Sequence, residues 1–80
     1  MAERVDRVLE HAAETGRTPA ALVLGQEDFP AFQEWARGEL GEEIAAGSTY
    51  RGVPIRHNGS VFLSRLELGA KPGSPNALLL

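Results

Sequence analysis

The sequence predicts an α/β (α+β) fold, with two helices packed on a small mixed sheet of three to four strands that ends in a C-terminal β-hairpin. Three observations predict it. Residues 3–14 repeat apolar side chains at helical spacing. Ala20–Leu24 is an unbroken apolar run of strand length, closed by Gly25 and followed by a second helical pattern. Residues 49–68 hold two strand-like runs split by Asn58–Gly59.

In the first helix, Val5, Val8, Leu9 and Ala12 form one apolar stripe, with Glu3, Arg7, Glu10 and Glu14 around it. Gly16 stops the helix, because glycine takes the left-handed geometry that closes a helix C-terminus. Pro19 pushes Thr18 toward extended backbone, so the chain enters Ala20–Leu24 already straightened. A run without polar alternation suits a strand covered on both faces.

Gly25 turns the chain, and Glu27, Asp28, Phe29 and Pro30 open the second helix. The two carboxylates suit the positive end of the helix dipole, and proline is tolerated in a first turn whose N–H groups have no helical partner. Phe29, Phe32, Ala36 and Leu40 line one face, with Trp35 and Ile44 at its border. Gly38 and Gly41 weaken the last turns by about 1 kcal/mol each relative to alanine.

Residues 49–57 and 60–68 are the remaining strands. Pro54 cannot donate to a ladder, which places the first of them at an edge or at a bulge. Asn58–Gly59 is the residue pair of a two-residue hairpin turn. In the returning strand Val61 and Leu63 are expected inside, with Phe62 and Leu66 as further candidates. The compact domain therefore spans residues 1–69. Residues 70–80 read as a flexible tail rich in proline and glycine, with an apolar end at Ala77–Leu80.

At 80 residues the chain makes one domain and buries only roughly 60% of its unfolded surface, a thin margin without neighbours or staples. It has no cysteine, which excludes disulfides and thiolate metal sites. No apolar run approaches the roughly 20 residues of a membrane helix, and the charged N-terminus is unlike a signal peptide. A cytoplasmic protein with no membrane contact is expected. The net charge of −3 divides unevenly: residues 1–48 carry −6 and residues 49–80 carry +3. Complementary halves of this kind allow one copy to meet another, acidic surface to basic surface.

The search for chemistry returns little. Gly25 stands where phosphate loops stand, but it is a single glycine and Glu27 and Asp28 repel an anion. His11 and His57 lack metal-ligand spacing, and no serine sits in a nucleophile elbow. Glu42 and Glu43 are adjacent and diverge, a poor acid/base pair. Neither an enzyme nor a cofactor nor a small-molecule substrate is expected. An acidic chain with few arginines, none interleaved with aromatics, argues against nucleic acid.

Pro19–x–x–Leu22–Val23–Leu24–Gly25, with Phe29 and Phe32 on the helix that follows, resembles the axial domain of tailed-phage major capsid proteins and encapsulins. In that family a strand of the type P-x-x-[LIV]-[LIV]-x-[GHN] precedes a helix with an aromatic near its start. A segment like Y-x-G-[VI]-P-[VI] comes later, here Tyr50–Arg51–Gly52–Val53–Pro54–Ile55, and then an apolar strand, here Val61–Leu68. Order and spacing agree over residues 3–70. The peripheral domain with its long spine helix, the extended loop and the N-terminal arm have no counterpart, so the chain looks like a free-standing, minimal axial domain. The resemblance implies a phage or capsid-like structural protein that self-assembles around symmetry axes, or an accessory virion component, located in the cytoplasm or the virion.

The expected function is thus a structural, self-associating assembly subunit, with copies of itself or a larger protein assembly as partners. Arg51, Arg56 and Arg65 are expected to meet Glu34, Glu39, Glu42 and Glu43 of a neighbour, and Leu78, Leu79 and Leu80 to dock. The alternative is a small acidic interaction module or inhibitor, phage- or host-encoded, that presents the second helix to a basic protein partner.

Overall fold

The elements are described from a computed structural model covering residues 2–80. Helix α1 (Ala2–Glu14) buries Val5, Val8, Leu9 and Ala12, the stripe its spacing predicts. It closes in a Schellman motif: the Arg17 N–H donates to the Ala12 carbonyl (2.8 Å) and the Gly16 N–H to the Ala13 carbonyl (3.1 Å). Gly16 takes the left-handed φ of 69° that this motif requires. Strand β1 (Pro19–Leu24) follows, then helix α2 (Asp28–Glu39), β2 (Thr49–Tyr50), β3 (Val53–His57), β4 (Arg65–Leu68) and β5 (Ala77–Leu79).

The strands form one mixed sheet in the order β2-β3-β1-β4-β5. Five strands stand where three to four were expected, in an α+β architecture. β1 is central, parallel to β3 and antiparallel to β4. Leu22 and Leu24 point to the same side as Val53, Ile55, Leu66 and Leu68, and on these rest α1 and the Phe29, Phe32 and Ala36 face of α2. Both helices therefore lie on one face of the sheet. Tyr50 joins this core from β2, edge-on to both Phe32 and Trp35.

Three expectations are corrected. The hairpin lies at Arg51–Gly52, not at Asn58–Gly59. Tyr50 pairs with Val53 around a two-residue turn in which Arg51 and Gly52 both have positive φ, 51° and 80°. That is the primed geometry matching strand twist, and it divides residues 49–57 into β2 and β3. Pro54 consequently lies inside the sheet, with β2 outside it. Its missing N–H is tolerated because the ladder to β1 begins one residue later, at Leu22↔Ile55.

Residues 60–68 are the second correction, since only Arg65–Leu68 is strand. β3 and β4 lie on opposite sides of β1, so residues 58–64 cross over the end of the central strand. Asn58 starts the crossing by donating its N–H to the Leu24 carbonyl (3.0 Å), and its side chain accepts from Ser60 N–H (3.0 Å). Alternation has no meaning in such a segment, and Phe62 and Leu63 are each 62% exposed where Leu63 was expected inside. Leu40, expected on the buried face of α2, is also exposed, at the C-cap of the helix.

The crossing is tight, and this explains Gly25. A Cβ there would lie 2.7 Å from the Phe62 carbonyl oxygen and 2.8 Å from that of Val61. Gln26 N–H donates to the same Val61 oxygen (3.0 Å). The buried Ser64 hydroxyl accepts from Gly25 N–H (2.9 Å) and donates to an Asp28 carboxylate oxygen (2.5 Å). One glycine, one serine and one aspartate thus lock the crossover to the start of α2.

The third correction concerns the tail. Ala77–Leu79 is strand β5, paired antiparallel with β4, so this end of residues 70–80 belongs to the sheet. Arg17 holds the intervening loop: its guanidinium donates to the carbonyls of Pro75 (2.6 Å) and Gly69 (2.8 Å) and to the Asn76 side-chain oxygen (3.3 Å). A loop with Pro72 and Pro75 has more backbone acceptors than donors, and a charged five-donor group matches it.

Candidate functional site

The far face of the sheet carries no helix. Ladder pairing aligns Arg56, Val23, Arg65 and Leu79 in one row, with Ala21, Glu67 and Ala77 in the next. Ala21 and Val23 are nevertheless buried. Glu67 reaches Arg65 (3.1 Å) on its own strand and Arg56 (3.7 Å) beyond β1, so the ion-paired side chains roof the small residues of the central strand. The second face, expected to be packed, is covered only by these stems and heads. Exposed pairs of this kind contribute about 0–1 kcal/mol each, so the roof screens apolar surface without making a rigid layer.

The predicted interface residues are distributed differently from the expectation. Arg56 and Arg65 share this face, but both are engaged with Glu67. Arg51 stands apart at the hairpin turn, paired with Asp6 of α1 (3.2 Å). Glu43 bonds Arg37 (3.1 Å) beyond the end of α2, and that hydrogen bond holds its carboxyl below the usual range. Glu34, Glu39 and Glu42 are exposed, and among the described residues none has a salt-bridge partner. The three arginines therefore do not form one free basic patch.

The leucines behave differently. Leu78 and Leu80 point to the helix side and pack against the core. Leu79 alternates to the open face, where it is 65% exposed. β5 is an edge strand, and its three residues carry no charge, proline or bulge to discourage pairing. At the other edge, β2 has only Thr49 and Tyr50 before the chain turns back.

Of the chemistry-bearing groups, His57 and Ser64 are engaged structurally. His57 stacks on Phe29 (ring centroids 4.3 Å apart, planes 8° from parallel), and His11 lies exposed on α1. Ser64 is committed to Gly25 and Asp28. No group of three or more potential metal ligands occurs among the described residues. No helix among them is long and apolar enough to cross a membrane. Two shallow surface depressions, of about 300 and 350 Å³, lie beside Arg17–Leu78 and beside Pro19–Val53.

Arg17, Ser64 and the Gly25 contact carry the architecture around this surface, and sequence reading did not single out their partners. Only Arg17 left a signal: a cation in the connection between α1 and β1 of a chain whose later loop, with Pro72 and Pro75, lacks two backbone donors. No protein-family model, curated protein or solved structure matches this chain.

Proposed function

We propose that the chain is a structural, self-associating subunit acting through protein–protein surfaces, as an axial-domain-like component of a larger capsid-like or virion assembly. One observation carries the reading. The sheet, covered by helices on one side only, ends in an uncharged apolar edge strand with Leu79 65% exposed. Such an edge is a template for another strand, and single soluble domains normally blunt it with charge, proline or a bulge. The arginines already engaged with Asp6 and Glu67 make backbone and apolar contact, rather than free charge, the source of association.

Size exclusion coupled to light scattering, over a concentration series at low and high salt, tests this. Species above the 8.6 kDa monomer are expected to grow with concentration and to survive high salt. A monomer under every condition overturns the proposal.

A second reading, an acidic module for a basic protein partner, is favoured by Glu34, Glu39 and Glu42, which are exposed and make no salt bridge among the described residues. Its signature is a monomer whose binding to that partner weakens with salt and is lost when these three are changed to glutamine.

A further inference from the structure

Ladder geometry says which backbone groups of β5 are free. Leu80 N–H donates to the Ser64 carbonyl (3.2 Å) and Leu68 N–H to the Asn76 carbonyl (2.8 Å), with Leu78 facing Leu66 between them. In an antiparallel pair only alternate residues bond to the neighbour. Residues 76, 78 and 80 therefore face β4, while Ala77 and Leu79 turn both N–H and C=O outward. No strand lies outside β5 among the described residues. The opposite edge turns out only Thr49, because Tyr50 pairs with Val53 and the Ser48 carbonyl accepts from Ile55 N–H (2.7 Å).

We infer that β5 pairs antiparallel with the β5 of a second copy, across a two-fold axis passing at Leu78, to make one continuous ten-stranded sheet from two five-stranded ones. The inference rests on the self-associating reading above and gives it a register. Two outward residues placed symmetrically about Leu78 are complementary to themselves. Ala77 exchanges both backbone bonds with Leu79 of the second copy, and Leu79 with its Ala77. Centring the axis on Ala77 or on Leu79 keeps only one such exchange, so the Leu78 register uses the most backbone groups.

Side chains and charge agree with this register. On the open face each exposed Leu79 covers Ala77 of the other copy, and the two leucines approach diagonally across the axis. The row Arg65–Leu79 continues into Ala77–Glu67 of the second copy, so no like charges are set opposite each other across the axis. A three-residue edge buries little area, which makes the dimer concentration-dependent rather than permanent.

The absence of cysteine allows a direct test in the full chain. At the axis, Leu78 faces its own copy in a non-hydrogen-bonded pair, with Cα atoms about 4.5 Å apart, within disulfide reach. Leu78→Cys is expected to give a disulfide-linked dimer under mild oxidation, and Glu39→Cys, exposed at the end of α2, is not. Leu79→Pro removes an outward N–H and no β4–β5 bond, so it is expected to weaken dimerisation at least tenfold while circular dichroism stays native. If the unaltered chain associates but Leu78→Cys fails to cross-link and Leu79→Pro leaves the dissociation midpoint in place, the β5 inference is overturned and self-association stands. A monomeric unaltered chain at every concentration overturns both.

Discussion

Replacing Gly25 by alanine tests the central claim about this fold, that the 58–64 crossover is pressed against the end of β1. The new methyl would stand 2.7 Å from one carbonyl oxygen, 2.8 Å from a second and 3.0 Å from a carbonyl carbon, all backbone. Flexible side-chain ends can swing aside, but this segment is tied by the Gln26–Val61 and Gly25–Ser64–Asp28 hydrogen bonds. Relief of the clash therefore stretches bonds that satisfy buried groups.

Overpacking of this kind costs about 1–3 kcal/mol, and one weakened buried hydrogen bond adds about 1 kcal/mol. The expected loss of about 2–4 kcal/mol is a large share of the roughly 4–12 kcal/mol available to a domain of this size. In a thermal melt that corresponds to a fall of about 10–25 °C. Urea unfolding should report the loss as a lower midpoint at unchanged slope. Ser64→Ala should cost about 1–3 kcal/mol by leaving the Gly25 N–H without a partner, and it should be non-additive with Gly25→Ala because both act on one latch. A Gly25→Ala protein within about 0.5 kcal/mol of the parent would refute the crowding argument.

Two further outcomes follow from the same geometry. Arg17→Ala removes three guanidinium hydrogen bonds from the 69–76 loop and is expected to cost about 1–2 kcal/mol. Hydrogen exchange should quicken first at the Leu68 and Leu80 amides of the β4–β5 ladder, and unchanged protection there would remove Arg17 from its role. The Tyr50 phenol is pushed up to about 12, by burial first and then by its hydrogen bond to the Asp6 carboxylate (2.8 Å). The unfolded chain releases this proton near pH 10, so the contribution is complete below that pH and is lost as pH rises from about 10 to 12. Tyr50 is the only tyrosine, so ultraviolet titration reads it alone, and an ordinary midpoint near 10 would contradict the buried contact.

The sequence by itself determined the local half of this protein. Val5, Val8, Leu9 and Ala12 bury one helix face, Phe29, Phe32 and Ala36 bury another, and Ala20–Leu24 is strand, because spacing along the chain sets which side chains share a face. The tertiary structure decided which strands are neighbours. Asn58–Gly59 has the composition of a hairpin, yet β1 already occupies the place between β3 and β4, so the chain crosses over instead of turning back. That choice exposes Phe62 and Leu63, makes Gly25 a matter of clearance from a distant backbone, and spends Arg56 and Arg65 on Glu67. It also leaves the second side of β4 open, where Ala77–Leu79 supplies the last strand and becomes the uncovered edge. Periodicity is a property of near neighbours in sequence. Strand order, and with it the surface offered to another molecule, depends on contacts dozens of residues apart that no local pattern encodes.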